Sequence, residues 1–315
     1  MHGAMKPTTD LLTLETLAEP ATDGGMPRVA VIGNPTRTTD LLVGAWVAAG
    51  IRASVMTPEL ALAALEAGDV ALFRLDVLPT LDGIEPGLDV FPALEQRGVR
   101  ILNRPGALLA VHDKLRTLAA LTAAGLRQPR TFHATAGTRL PHLPLPCVVK
   151  PRFGSWGKDV LRCETRSDLD RALAALSTKG WWRRHGALVQ ELIPPVGRDL
   201  RLLSAGGEIA GGAVRVAAAG EWRTNISLGG RLERADPPAE AVAEAERAAR
   251  AISIDLAGVD LLPWEDGWVV LELNGAADFD ERYSLGGRDV HAEIARALSL
   301  GRTPQLAPLP GAASS

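Results

Sequence analysis

Apolar residues come in short blocks along most of this chain, separated by stretches with helical spacing. The block Arg28-Val29-Ala30-Val31-Ile32 reads as a buried strand running into Gly33-Asn34-Pro35. Leu41, Leu42, Ala45, Trp46 and Ala49 then recur at helical spacing up to Gly50, and residues 51–56 read as the next strand. This β-α-β start predicts a small parallel α/β unit over residues 28–105. From Gly106 the pattern changes. Helices are expected over 112–124, 167–176 and 239–252, the last opened by Asp236-Pro237-Pro238. Strands are expected over 147–150, 159–163 and 187–192, with further β-rich stretches at 199–204, 208–216 and 259–274. The fold class is therefore α/β and α+β: a parallel N-terminal unit, then two α+β subdomains (106–190 and 191–301) facing each other. Residues 1–27 and 302–315 read as poorly ordered tails.

Composition narrows the partners. Hydrophobic residues at 46% and charged residues at 23% suit a globular enzyme, while a net charge of −3 argues against nucleic acid or an anionic membrane as partner. Any anionic ligand must then be held by local positive charge. Cys147 and Cys163 match no zinc or redox spacing and read as buried small hydrophobes. No apolar run reaches the roughly 20 residues a membrane span needs. The first 26 residues lack the basic start and apolar centre of a signal peptide, so a cytoplasmic enzyme with reduced thiols is expected; a homo-oligomer is a separate expectation. Only five of the 34 basic residues are lysines, among them Lys114, Lys150 and Lys158. In so arginine-rich a chain, a lysine marks a place that wants a compact point charge.

The sharpest chemical signal lies near the C-terminus. Residues 257–264 and 268–274 read as a hairpin around Glu265-Asp266-Gly267, with Gly267 in the left-handed third position of a three-residue loop. That register sets Trp264 opposite Trp268, Leu262 opposite Val270 and Asp260 opposite Glu272. Strand alternation then puts Glu272 and Asn274 on one face, with Val269, Leu271 and Leu273 on the other. Facing carboxylates repel unless a cation lies between them, and an all-oxygen set suits Mg²⁺. A solvated acidic face would explain the same letters.

Three further segments carry weaker signals. Val148-Val149-Lys150-Pro151 leads into Arg152-Phe153-Gly154-Ser155-Trp156-Gly157-Lys158, a strand and loop able to surround phosphates with N–H groups, a hydroxyl and ammonium groups. It is not a Walker A loop, and Gly33-Asn34-Pro35-Thr36 lacks the glycines of a dinucleotide fingerprint. Leu188 to Pro194 could form a hinge whose backbone reads a nucleobase edge. Gly197-Arg198-Asp199-Leu200-Arg201, Arg215 and Arg223-Thr224-Asn225 supply arginines able to clamp a phosphoryl group or a carboxylate. The six histidines show no metal spacing, and no Ser-His-Asp or Cys-His arrangement is visible.

In this order, the segments resemble the RimK-like branch of the ATP-grasp ligases over residues 102–298. Further pieces are His112-Asp113-Lys114-Leu115-Arg116, Ala257-Gly258-Val259-Asp260 and Leu271-Glu272-Leu273-Asn274. The resemblance implies an ATP- and Mg²⁺-dependent ligase that joins a carboxylate to an amine through an acyl phosphate. It implies that Lys114 and Lys150 contact ATP phosphates and that the loop of Gly154, Ser155, Trp156, Gly157 and Lys158 closes over them. Glu191, Leu192 and Ile193 would hold the adenine and Asp199 the ribose, with Arg201 nearby. Arg215, Lys150 and Asn225 would be catalytic, Arg215 stabilising the transferring phosphoryl group. Asp260, Glu272 and Asn274 would bind two Mg²⁺, for which Mn²⁺ could substitute.

The sequence departs from that pattern in two places. Glutamate-adding relatives carry Asn-x-Ser-Pro-Gly where this chain has Asn274-Gly275-Ala276-Ala277-Asp278. The Gly-Ser-Trp-Gly loop is nearer to LysX-like ligases, which attach an amino acid to a carrier protein, yet those have arginine where this chain has Lys158. The amine and the acceptor, small molecule or carrier or peptide tail, stay open. Asp280 and Arg282 fall where the substrate should lie. The alternatives are a non-catalytic ATP-binding module and a peptide-modifying ligase of another branch.

Overall fold

The computed structural model describes residues 26–140 and 144–301, so most of both expected tails lies outside the described residues. The chain begins with a parallel sheet. Strands β1 (Arg28–Ile32), β2 (Arg52–Met56), β3 (Val70–Phe73) and β4 (Arg100–Leu102) lie in the order β2-β1-β3-β4. Helices α1 (Arg37–Ala48), α2 (Pro58–Ala64) and α3 (Phe91–Gln96) provide the crossovers. Thr36 caps α1 reciprocally with Thr39, which fixes where the helix begins. The strand order reverses between β1 and β3, so a crevice opens beyond their C-terminal ends, at residues 33–38 and 74–76.

Next come α4 (Pro105–His112) and α5 (Lys114–Ala123). The helix expected over 112–124 is α5, while α4 was not expected; the break between them falls at Asp113, whose carboxylate caps α5 by accepting from Leu115 N–H at 3.1 Å. The break has a function. Lys114 N–H donates to the Arg152 carbonyl at 3.2 Å, fixing the start of α5 against the loop after Lys150.

A second, antiparallel sheet is built from β5 (Thr131–Ala134), β6 (Cys147–Pro151), β7 (Leu161–Cys163) and β8 (Ala187–Glu191), in the order β5-β8-β6-β7. Helices α6 (Arg166–Ser177) and α7 (Gly180–His185) cover one face and bury Leu169, Leu176, Trp181 and Trp182 against Cys147, Val149 and Val189. Both cysteines are free and buried, as expected.

The third sheet, of five antiparallel strands, runs β11-β10-β9-β12-β13. Its members are β9 (Arg198–Ala205), β10 (Glu208–Val216), β11 (Arg231–Arg234), β12 (Leu256–Trp264) and β13 (Gly267–Asn274). Helix α8 (Ala239–Ile252) lays Ala241, Ala245, Ala248 and Ala249 on its back face; these small residues let the helix approach closely. Asp236 does not cap α8; Pro238 holds the cap position without a side-chain bond. Helix α9 (Val290–Ala297) packs with α1 and β10, and the Trp46 indole donates to the His291 carbonyl at 2.9 Å. Asn103 ties the first sheet to the third. Its buried amide donates to the Phe73 and Leu256 carbonyls and accepts from the Asp255 and Leu256 N–H groups.

The β12–β13 hairpin corrects the expected turn. Trp264 pairs with Gly267, so the loop has two residues, and Glu265 takes the left-handed conformation at φ 54°. Glycine at 267 serves space instead: a Cβ there would lie 2.7 Å from the Glu240 carboxylate. The tip register is therefore one residue off the expectation, with Pro263 opposite Trp268 and Leu262 opposite Val269. A bulge between Asp260 and Leu261 absorbs the difference, and Asp260 does face Glu272.

Candidate active site

The second and third sheets face each other across a cleft open to solvent. One wall carries Val148 and Lys150 of β6 and Gln190 of β8. The other carries Asp199, Arg215, Asp260 and Glu272. Leu192 and Ile193, in the link from β8 to β9, line the cleft together with Leu262 and Leu271. Leu271 was expected on the opposite face, with Val269 and Leu273. The bulge leaves it beside Glu272, opposite Asp260, so it lines the cleft. The result is an apolar slot at one end and a dense set of charges at the other.

The charged end is organised around Arg215, which is 4% exposed. Its Nε donates to Asp199 Oδ1 at 2.8 Å, and its Nη2 reaches Asp260 Oδ2 at 2.7 Å. Arg201 grips the same Asp260 through Nε and Nη2, at 2.6 and 2.8 Å. The two arginines hold the Asp260 carboxyl well below the usual carboxylate range despite its burial. Asp199, expected at a ribose, has both oxygens engaged instead: Arg215 takes Oδ1 and Oδ2, and the Thr224 hydroxyl donates to Oδ2 at 2.6 Å. It acts as the counter-ion that aims Arg215.

Two lysines face this set. Lys150 Nζ donates to Gln190 Oε1 at 2.8 Å, and burial pushes its ammonium down to about 8. Lys114 Nζ donates to the Gly154 carbonyl at 2.7 Å and lies 3.2 Å from the Glu272 carboxylate. Burial and the nearby Asp260 push the Glu272 carboxyl up, but Lys114 and Lys150 outweigh them and draw it below its ordinary value. The lining carries five cations, Lys114, Lys150, Arg198, Arg215 and Arg223, against four carboxylates, Glu191, Asp199, Asp260 and Glu272. The cleft keeps an excess positive charge for an anionic guest.

The loop after Lys150 forms a cover. Trp156 and Gly157 are left-handed, at φ 56° and 69°. A Cβ on Gly157 would lie 2.8 Å from Asn225 Oδ1, so the loop seats directly on Asn225. The Arg223 guanidinium donates to the Gly157 carbonyl at 3.0 Å, and the Ser227 hydroxyl to the Trp156 carbonyl at 3.1 Å. Gly154, Ser155, Trp156 and Gly157 line the cleft, but Lys158 does not. Lying between left-handed Gly157 and Asp159, it turns outward and donates to the Pro79 carbonyl at 2.7 Å. Glu191 lines the cleft, and its carboxylate accepts from Arg130 N–H at 3.3 Å.

A second cavity, also open to solvent, adjoins the first and shares Ser155, Trp156, Arg215, Asn225 and Glu272 with it. Asp280 and Arg282 line it and form an ion pair, Arg282 Nε to Asp280 Oδ1 at 2.9 Å. Asn274 opens onto this second cavity, its Oδ1 accepting from Ala276 N–H at 2.9 Å. The far wall comes from the crevice of the first sheet, through Thr36, Arg37, Thr38 and Asp76. Sequence reasoning missed these four, and also Gln190 and Thr224. Strand alternation could have placed Gln190, two residues from Leu188 on β8. No local pattern marks Asp76, which reaches the site only through the fold.

Among the described residues no three His, Cys, Asp or Glu side chains gather closely enough to hold a metal by themselves. Asp260, Glu272 and Asn274 nonetheless offer carboxylate and amide oxygens, and Asp260 and Glu272 face each other on adjacent strands; in this structure Arg201 and Arg215 hold the Asp260 carboxylate and Lys114 lies against Glu272. Such a set fits a hard divalent cation that takes its remaining ligands from phosphates and water.

Two sheets closing on a cationic cleft under a glycine-bearing cover define the ATP-grasp class of ligase. Residues 111–298 match the family described as the RimK-like ATP-grasp domain. A probable alpha-L-glutamate ligase of Pseudomonas paraeruginosa is 31% identical over 249 residues, covering 77% of this chain and 80% of its own. In structure, the chain is similar to the RimK domain ATP-grasp protein of Sphaerobacter thermophilus, with TM-score 0.61 and 24% identity over 86% of this chain and 99% of that one. The ATP-grasp ligase PsnB, solved with its minimal precursor, gives TM-score 0.61 and 20% identity over 87% and 98%. The chain belongs to the RimK-like ATP-grasp family and is an ATP-dependent ligase.

Proposed function

We propose that this ligase phosphorylates a carboxylate in the second cavity with ATP held in the first, then passes the acyl group to an amine. The observation that carries this is the junction of the two cavities at Arg215, Asn225 and Glu272, beneath Ser155 and Trp156. An adenine fits the slot between Leu192, Ile193, Leu262 and Leu271, and its triphosphate runs toward Lys114 and Lys150. A carboxylate oxygen then attacks the γ-phosphorus and ADP leaves. Arg215, preset by Asp199 and Asp260, offsets charge on the transferring group without reorganising. The amine attacks the acyl carbon, phosphate departs, and the amine proton passes to solvent.

Asp260, Glu272 and Asn274 are the residues that would hold Mg²⁺, as two ions with Mn²⁺ an alternative. An ion held by these residues would supply neutralisation of the phosphate charge. The protein's own part is positioning and exclusion of water, the latter by the latched cover of residues 154–157. The curated relatives are named for glutamate, and this supports an amino acid as one of the two substrates.

Hydroxylamine tests this without knowledge of the amine, because it traps an acyl phosphate as a hydroxamate. With ATP, Mg²⁺ and a panel of carboxylates, at least one should give hydroxamate and ADP in equal amounts. ATP binding with no hydroxamate from any panel member would leave a nucleotide-binding module in place of a ligase.

A further inference from the structure

Two buried polar side chains leave the parallel sheet at its crevice, one on each side of the point where the strand order reverses. Thr38 follows β1 and is 3% exposed; Arg74 follows β3 and is 5% exposed. Open parallel sheets commonly receive a ligand at that point. In this chain both side chains meet the protein's own residues 277–279.

The Thr38 hydroxyl accepts from the Phe279 N–H at 3.3 Å and donates to Asp278 Oδ1 at 3.0 Å, with the Phe279 carbonyl also 3.3 Å away. Arg74 Nη2 donates to the Ala277 carbonyl at 2.7 Å, and its guanidinium lies 5.5 Å from the centre of the Phe279 ring. Its Nε has no partner among the described residues. Burial pushes the guanidinium down to about 10, against Asp278 and Asp76, which favour its charge. These two carboxylates therefore serve Arg74 as counter-ions. A buried guanidinium with a donor left unpaired costs stability, and an apolar side chain would fill the same space at less cost. What the arginine supplies is a fixed reach to the Ala277 carbonyl.

The gripped segment needs such a hold. Asn274 is fixed by the strand ladder, opposite Gly258, but residues 275–280 belong to no helix or strand. Without a ladder, their backbone takes its position from side chains elsewhere in the fold. Ala276, Asp278, Phe279 and Asp280 nevertheless line the second cavity, and none of them lines the nucleotide cleft.

We propose that Thr38 and Arg74 are positioning residues: the parallel sheet clamps residues 277–279 in its crevice and so shapes the acid-binding wall of the second cavity. This rests on the second cavity being the acid site, as proposed above. The first sheet then acts on the reaction without touching the nucleotide.

Hydrogen exchange and steady-state kinetics on the full-length protein test this together. Thr38→Val and Arg74→Met keep most of the bulk and remove the polar contacts, while Thr38→Ser keeps the hydroxyl. Amides of residues 275–283 should exchange about tenfold faster or more in the first two variants, with the β12–β13 hairpin unchanged. Thr38→Ser should exchange like the parent. The acids are L-glutamate, L-alanine and succinate, with hydroxylamine as the trap. For each acid that turns over, Thr38→Val and Arg74→Met should raise its KM about tenfold and leave KM for ATP within about twofold. Thr38→Ser should restore the parent value. A merely structural role would lower the active fraction, reducing kcat and leaving both KM values alone. Thr38→Val carries the test if Arg74→Met does not fold. Unchanged exchange at 275–283, faster exchange spread over all three sheets, an acid KM that does not move, or acid and ATP KM values that move together would overturn the inference. If none of the acids turns over, the proposed ligation is what fails. Exchange then decides the clamp alone, local acceleration supporting it and the absence of acceleration overturning it.

Discussion

Asp260 stands directly opposite Glu272 because Leu271 is an extra residue in β13. At the hairpin tip Trp264 pairs with Gly267, and carrying that register onward would bring Leu271 opposite Asp260 and turn Glu272 toward α8. The bulge shifts the ladder by one and leaves Leu271 and Glu272 side by side on the cleft face. One irregularity thus supplies both an apolar contact and a carboxylate at adjacent positions.

Adjacent substitutions should therefore fail in different ways. Glu272→Ala should lower ADP formation by at least ~100-fold through kcat, since it removes charge from the centre of phosphoryl transfer. Its melting temperature should stay close to that of the parent. Leu271→Ala should raise KM for ATP about tenfold, a loss of about 1–2 kcal/mol of apolar contact, and leave kcat nearly unchanged. Steady-state kinetics with varied ATP separates the two; near-normal turnover in Glu272→Ala would remove the metal assignment.

How far the sequence reveals this site depends on the range over which each contact is set. Strand alternation and a turn are local, so the pairing of Asp260 with Glu272 could be read from the letters. The route to it was wrong, however: a three-residue loop without a bulge and a two-residue loop with one give the same partner. Leu271 shows the difference, since it was assigned to the far face. Lys158 was misplaced because its direction is set by two left-handed neighbours and by Pro79, far away in sequence. Asp199 shows a third limit. Its carboxylate was visible, but which group it would meet depended on the pairing of β9 with β10, which sets Asp199 opposite Arg215.

The contact between Gly157 and Asn225 predicts a sensitive cover. Gly157→Ala puts a Cβ 2.8 Å from Asn225 Oδ1 and 3.2 Å from Leu228, at a φ of 69° that costs an alanine about 1 kcal/mol. The loop should lift from its seat. KM for ATP should rise and unproductive ATP hydrolysis should increase, because water then reaches the phosphates. Global stability should fall by no more than about 1–2 kcal/mol. Denaturant unfolding and substrate-independent phosphate release measure the two effects; unchanged phosphate release would show that the cover does not exclude water.

Asn103 makes a prediction about stability rather than chemistry. It is fully buried at φ 58°, and its amide satisfies four backbone groups shared between the first and third sheets. Asn103→Ala strands those groups and should destabilise the protein by more than about 3 kcal/mol. Asn103→Gly relieves the backbone strain without restoring the bonds, so it should recover at most about 1 kcal/mol of that loss. Urea midpoints for the three proteins check the order; a glycine variant as stable as the parent would mean that strain, not the amide, governs this position.

Lys150 sets the expected pH dependence, and its two consequences have opposite signs. Burial, with help from the like charge of Lys114, brings its ammonium down to about 8, against the Glu272 and Asp260 carboxylates that favour the charged form. The unfolded chain keeps this proton up to its ordinary value of about 10.4. From about pH 8 to 10, unfolding therefore takes up a proton, and this group makes the ligand-free protein more stable as pH rises. ATP responds the other way, because its phosphates need the ammonium. The kcat/KM for ATP should fall about tenfold per pH unit above pH 8. Lys150→Arg keeps its charge throughout that range, so its profile should stay flat there, at a lower absolute rate because the guanidinium fits the Gln190 contact poorly. If the two proteins lose activity in parallel above pH 8, the titrating group is elsewhere, and Lys150 does not meet the phosphates as a cation.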